Sequence, residues 1–242
     1  MTALVPSFPP LLKGMAAGPA NPFKIACDQA RRGVDAGLVA WSAGEDRMRA
    51  ALVLAPDEPL EAAMAAYIAS GVGMQNALGA HAPAETAVQL EWSGGLRVNA
   101  GYCGRLRCFA SARDPKAIPD WLVVGVDLTL RLPSDFEPGE RPDHTALHLE
   151  GCRDIDTVLL LESWARHTLL WINELDSATG RAALNREWEG LAWKMGKSVT
   201  VSTRSERHVG TFLGVDENFG MILKTESGDT ELIPLSSMIE EE

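Results

Sequence analysis

The feature that most constrains this chain is a change of hydrophobic period near Gly196. Before that point, apolar runs of strand length alternate with long segments whose apolar residues recur every three to four positions. Beyond it, "GKSVTVSTRSERHVGTFLGVDENFGMILKTESGDTELIPL" holds only short alternating runs, with turn chemistry at "DENFG" and "ESGD". A helix-period pattern does not settle as a strand, nor the reverse. The chain therefore divides into an extended lead-in over 1–22, an α+β unit over 23–195 and a small β unit over 196–242. Below about 70 residues a lone core is marginal, which predicts that the small unit docks on the large one.

The lead-in carries five prolines and no apolar period. Asn21 and Pro22 then form a cap and first-turn pair for a helix that buries Phe23, Ile25, Ala26 and Ala30. "LVAWSAGEDRMRAALVLAP" reads as a hairpin around "SAGEDR", and "DEPLEAAMAAYIASGVGMQNALGA" as an alanine-rich helix with Pro59 in its first turn. "EWSGGLRVNAGYCGRLR" reads as a strand, a two-glycine turn and a second strand, with Trp92 at its head. "DWLVVGVDLTLRL" is a strongly apolar strand, and a proline-rich loop covers 133–142. The longest helix is "DIDTVLLLESWARHTLLWINEL" with Asp154 as its N-cap, and "GRAALNREWEGLAWKM" is a second.

Composition removes whole classes of function. With 242 residues and 46% hydrophobic content there is material for a core without disulfide or metal staples. The net charge of −11, with no basic block, excludes nucleic acid as an expected partner. No apolar run approaches the ~18 residues of a membrane span. Cys27, Cys103, Cys108 and Cys152 are scattered and no signal-peptide pattern precedes them, so they read as reduced thiols in a cytoplasmic protein. The closing "IEEE" reads as a solvated, frayed end.

Three chemical candidates fall to plainer readings. His144, His148 and Cys152 stand four apart, which suits one face of a helix, but the neighbouring prolines and Gly151 make the segment a loop. No metal site is expected. Cys103 and Cys108, five apart, fall on opposite faces of a regular strand and read as packed thiols. The glycines of "SGVGMQNALG" lie late in a helix rather than after a strand, so they serve packing and not phosphate binding.

The order of elements carries more. "LEAAMAAYIASGVGMQNALG" followed by "VQLEWSGGLRVNAGYCGRL" resembles the helix and the K-W-P-N-D strand-turn-strand of the biotin/lipoate protein ligase family, most closely its biotin ligase branch. "WLVVGVDLTL" is similar to that family's V-G-I-G-I-N-V strand, and "GTFLGVDENFGMILKTESGDTELI" to the SH3-like C-terminal domain of biotin ligases. The resemblance implies a mixed sheet with helices on its faces, followed by a small SH3-like barrel. It implies ATP as cofactor for an active ligase, a biotin-, lipoyl- or acyl-like acid or a carrier domain as partner, and a homodimer.

The departures fall on the family's chemistry. "WSAGEDRM" stands where the family has a glycine- and arginine-rich adenylate loop, leaving Arg47 and Arg49 as the cations. Gly94 and Gly95 replace the asparagine and aspartate of W-P-N-D. The family's lysine falls on Gly101 or Tyr102, and its strand asparagine on Thr129. No certain cofactor is expected, because loop and lysine together supply the charge stabilisation that adenylate formation needs.

Three readings follow. One is a non-catalytic or repurposed member with a pocket lined by Trp92, Gly94, Gly95, Gly104 and Gly125, where absent side chains leave room for a ligand. The same glycines equally serve turns and close packing. The second is a live ATP-dependent ligase that uses Arg105, Arg107 or Arg49 in place of the lysine; in a strand Arg105 and Arg107 share a face. The third is a protein-interaction scaffold with no ligand.

Overall fold

The computed structural model describes residues 5–133, 136, 141–204 and 206–241. Most of the proline-rich 133–142 loop lies outside the described residues. The large unit runs β1 (Lys13–Ala16), α1 (Pro22–Arg31), β2 (Leu38–Ala43), β3 (Arg47–Leu54), α2 (Leu60–Ala63), α3 (Ala65–His81), β4 (Val88–Leu90), β5 (Gly95–Val98), β6 (Gly101–Ala110), β7 (Leu122–Thr129), α4 (Thr157–Glu174) and α5 (Ala178–Leu191). Its strands form one mixed sheet in the order β1-β2-β3-β7-β6-β5-β4. The small unit is an antiparallel sheet in the order β11-β10-β9-β8, with β8 (Ser198–Ser202), β9 (Arg207–Val215), β10 (Met221–Lys224) and β11 (Thr230–Ile233). A 3-10 turn at Leu235–Met238 follows.

Each face of the large sheet has its own helices. Asn21 caps α1 by accepting from the Phe23 amide at 3.1 Å, with Pro22 in the first turn. Phe23, Ala26, Cys27 and Ala30 then pack on Ala40, Ala51, Val53, Phe109 and Val123. On the opposite face α3 and α4 cover Met48, Ala50, Leu52, Val124, Val126 and Leu128. The small residues of α3 allow this: a Cβ on Gly73 would lie 2.5 Å from Thr168 Oγ1 and 2.9 Å from its amide nitrogen in α4. The helix-packing reading of the "SGVGMQNALG" glycines holds.

Several expectations are corrected. Part of the lead-in is a strand: Lys13–Ala16 pairs in parallel with Leu38–Trp41, a partner too far along the chain for local patterning to reveal. The alanine-rich segment breaks at Met64 into two helices, and Pro59 sits at the cap rather than inside. Asp156, not Asp154, caps α4, since its Oδ1 reaches the Val158 and Leu159 amides at 2.8 and 3.1 Å. "EWSGGLRVNAGYCGRLR" makes two turns rather than one. Gly94, at φ +95°, serves the first, and Asn99 and Ala100, at φ +50° and +70°, form the hairpin turn between β5 and β6. Asn99 anchors that turn by accepting from the Ala87 amide and donating to Glu150, each at 2.9 Å.

The small unit docks as predicted. Val201, Phe212, Phe219, Met221, Leu223 and Ile233 join one continuous core with Trp92, Leu184 and Trp188. Trp188 meets Phe212 edge to face, their centroids 6.2 Å apart. The "IEEE" end is only partly solvated. Ile239 is buried, and the Glu240 amide donates to Cys108 O at 2.9 Å along the unpaired end of β6. No described helix is long and apolar enough to cross a membrane.

Candidate functional site

The register of β3, β7 and β6 builds the site. Arg49 stands opposite Asp127, and Asp127 opposite Arg105; one step along, Ala51 faces Gly125 and Gly125 faces Arg107. Cross-strand neighbours share a face. It is the face that α1 covers at one end, and past α1 it carries Arg47, Arg49, Arg105, Arg107 and Asp127.

Arg107 is the most ordered of these cations. Its guanidinium lies 4.7 Å from the Phe23 ring centroid and 4.9 Å from that of Phe109, a double cation–π contact. Its Nε donates to both Glu240 carboxylate oxygens at 3.0 Å and its Nη2 to Oε2 at 2.6 Å. Arg105 adds a bond to the same carboxylate at 3.2 Å. Arg47 Nε lies 3.2 Å from Asp127 Oδ1, a charge contact without hydrogen-bond geometry. Arg49 Nε is buried with no hydrogen-bond partner.

Two cavities flank the arginines. One, of about 440 Å³, is bounded by Arg47, Tyr102, Gly104, Arg105, Asp127 and His144. The other, of about 390 Å³, lies against α1 between Asn21, Phe23, Lys24, Arg107 and Phe109.

The residues nominated from sequence separate into two groups. Arg49, Arg105, Arg107 and Gly125 meet on the open sheet face, with the Gly104 backbone at its edge. Gly95 stands opposite Arg105 in the same cross-strand row, whereas Trp92 and Gly94 turn toward the core. Trp92 is buried and donates through Nε1 to Phe219 O at 2.7 Å, bolting the two sheets together. The glycine positions are closed by packing. A Cβ on Gly94 would strike the Tyr67 hydroxyl, one on Gly95 would lie 2.5 Å from the Glu91 carboxylate, and one on Gly125 would strike Ala50 O. On Gly104 it would lie 2.5 Å from Asp127 O. Sequence reasoning missed Asp127 and Glu240. Alternation along "VGVDLT" places Asp127 on the Gly125 face and was the signal available for it; Glu240, 133 positions from Arg107, left none.

Cys103 and Cys108 are enclosed and held as neutral thiols. Burial, with Glu150 second, pushes Cys103 up to about 12. Burial, then Glu240, raises Cys108 further. Both pack into one core rather than on opposite faces, because a register shift between Leu96 and Arg97 makes Cys103 an extra residue in β6. His144 lies against Tyr102, His148 Nδ1 against Leu130 O and Cys152 against Thr86, so this trio does not converge. Among the described residues Glu206, His208 and Glu231 on the small sheet bring their ligand-type atoms together, and His208 Nδ1 lies 2.9 Å from Glu231 as an ion-pair contact.

A nucleoside triphosphate does not fit these residues. The β2–β3 turn presents Glu45 and Asp46 rather than a cradle of amides, and the Gly44 amide is committed to Arg47 O. At Gly101 a Cβ would lie 2.6 Å from the Thr145 methyl group, which leaves no room for a lysine stem.

The mixed seven-stranded sheet with helices on both faces, followed by a separate four-stranded sheet, is the fold of biotin protein ligases. The Biotin/lipoate A/B protein ligase family model matches residues 8–190, and a domain of unknown function, DUF4444, matches residues 195–241. The chain belongs to the biotin/lipoate A/B protein ligase family. A biotin protein ligase-like protein of unknown function from Silicibacter sp. TM1040 is 53% identical with a TM-score of 0.90, covering 98% of this chain and 100% of that one. Biotin protein ligase from Aquifex aeolicus shares the fold at 16% identity, with a TM-score of 0.71 and coverage of 93% and 95%. The same enzyme in complex with biotin and ATP superposes with a TM-score of 0.67 at 15% identity over 92% and 94% of the two chains. No curated protein sequence matches.

Proposed function

We propose that this protein is a non-catalytic, repurposed member of its family that binds a small organic acid, of biotin, lipoyl or fatty-acyl type, without activating it. The observation that carries this reading is the cluster of Arg49, Arg105 and Arg107 guanidinium groups on one sheet face beside two cavities. Guanidinium matches a two-oxygen anion in geometry as well as charge. Residues 23–195 supply the site, and residues 196–242, read as an SH3-like unit, support it through Phe219, which accepts from Trp92, and through Glu240. The buried, unbridged thiols suit a reducing, cytoplasmic setting. A carrier domain is the macromolecular partner the family suggests, and a homodimer is checked by sedimentation.

Calorimetric titration with biotinyl-, lipoyl- and octanoyl-adenylate analogues tests the reading, alongside ATP–pyrophosphate exchange with each free acid. Micromolar binding of one analogue with no exchange is expected. Exchange with any acid would make the protein a live ligase with a rearranged site. No binding by any of the three would leave the scaffold reading, which the exposed apolar side chains Val209, Leu213 and Leu232 on the small sheet favour.

A further inference from the structure

We propose that Glu240 is a built-in stand-in for the anionic head of the ligand, and that the ligand binds by taking its place on Arg107 and Arg105. This rests on the reading of the open sheet face as an anion-binding site, and it adds both the ligand's head group and a device that gates it.

Glu240 shows what the site accepts. Its two oxygens take three contacts from Arg107 and one from Arg105. A free carboxylate, or the acyl phosphate group of an acyl-adenylate with its two non-bridging oxygens, offers the same pair of anionic oxygens to a guanidinium fork. Arg107 does not depend on Glu240 for its position, because Phe23 and Phe109 hold its plane. The cation therefore stays ordered when the carboxylate leaves, so little ordering remains to oppose an incoming anion.

Glu240 also lies where a ligand would bridge the two cavities. Arg105 borders the cavity near Tyr102 and Asp127, and Arg107 borders the one floored by Phe23 and Phe109. One carboxylate bound to both arginines sits on the seam between them. A tail has the cavity beside α1 on one side, and an adenylate has a second cavity for its remaining half.

Displacement needs only a side-chain rotation. The backbone is fixed by the Glu240 amide bond to Cys108 O, by the Cys108 thiol donating to Met238 O at 3.4 Å and by the buried Ile239. The Glu240 side chain, 26% exposed, borders solvent. Turning it outward leaves Arg47, Arg49, Arg105 and Arg107 in one row with Asp127, while Asp46 and Asp28 border the two flanking cavities. In the same row, the Arg49 Nε is a buried donor with no acceptor among the described residues.

The test compares wild type, Glu240→Gln and Arg107→Met by calorimetry with two probes, octanoic acid and a phosphonate analogue of octanoyl-adenylate. The glutamine keeps the shape and removes the competing charge. Because an internal competitor lowers apparent affinity by the fraction of time it occupies the site, Glu240→Gln should bind about tenfold more tightly than wild type. Arg107→Met should bind neither probe. A gain with octanoic acid alone identifies a free acid as ligand; a gain with the analogue identifies the adenylate. Equal or weaker binding by Glu240→Gln, with wild type still binding, overturns the gate and leaves the proposed function standing. Binding that survives Arg107→Met, or no binding by wild type and Glu240→Gln alike, overturns both. Glu240→Asp, which keeps the charge but shortens its reach, should fall between the two and serves if the glutamine variant does not fold.

Discussion

Strand β6 has two faces, and they obey different rules. Leu106 and Cys108 point into a core built from α3, α4 and the small sheet, where fit and exclusion of water decide everything. Arg105 and Arg107, on the other face, stand beside Asp127 and Gly125 and are held by charge and ring contacts. The core face is determined by apolar pattern and has one solution. The charged face has two, Glu240 engaged or withdrawn, because its strongest partner reaches it through a single rotatable side chain. Structural rigidity on one side of a strand and exchangeable contacts on the other suit a binding protein.

The largest expected effect comes from breaking the core face at Trp92. Trp92→Ala removes a fully packed indole and the bond to Phe219 O, and should cost about 3–5 kcal/mol in chemical denaturation. Trp92→Phe keeps most of the packing and should cost about 1–2 kcal/mol, the order of a buried hydrogen bond. Ligand affinity in Trp92→Phe should match wild type, since this residue joins the sheets and does not line the arginine face. A tenfold loss of binding in that variant would return Trp92 to the site.

The second effect is alkaline destabilisation through the same face. Burial raises the Cys103 thiol to about 12, so the folded state holds a proton that the unfolded chain releases near its ordinary value of about 8.5. The stabilisation is complete below the unfolded value and is lost as pH rises toward the folded one. Denaturation midpoints should therefore fall from about pH 9 to pH 12, by on the order of 1 kcal/mol per pH unit for each thiol that titrates so. Cys108, raised in the same direction, adds to the slope. Cys103→Ala should flatten the decline; an unchanged slope would show that the thiol is open to water.

How much was legible in the sequence follows the same division. The core face was readable: period and turn chemistry located the α1 cap, the β2–β3 hairpin, the long α4 and the change from helices to strands near Gly196. The shared face of Arg105 and Arg107 was readable from strand alternation. What escaped depends on pairing across the chain. The β1 strand has no alternation of its own and exists through β2, while a one-residue bulge at Cys103 overturned the facing of two cysteines. The glycines at 94 and 95 read either as ligand space or as turn and packing positions. Tyr67 from α3 and Glu91 fill that space, and nothing near those glycines in sequence announces Tyr67. Glu240 was read as frayed because its charge, and not its partner, was visible.

Gly125 tests the boundary between the two faces. A methyl group there would strike the backbone carbonyl of Ala50, which cannot rotate away. Gly125→Ala should cost about 1–3 kcal/mol by overpacking and part β7 from β3. A neutral outcome would mean that the strands separate easily, and that the space above Gly125 belongs to a ligand after all.

The smallest effect separates the two arginines that hold Glu240. Arg107→Ala removes a three-contact pairing and two ring contacts from a side chain 15% exposed, and should cost about 1–3 kcal/mol. Arg105 is 47% exposed and makes one contact, so Arg105→Ala should cost about 0–1 kcal/mol, as exposed pairs do. Raising the salt concentration should erase the Arg105 difference and leave most of that at Arg107, because screening acts on solvated charge more than on a stacked, half-enclosed one. A double-mutant cycle of each with Glu240→Gln gives the coupling directly. Strong coupling to Arg107 and near zero to Arg105 would make Arg107 the anchor for any anion on this face. Equal couplings would mean that the phenylalanine rings do not order the guanidinium, and the contrast between a fixed cation and an exchangeable carboxylate would fail.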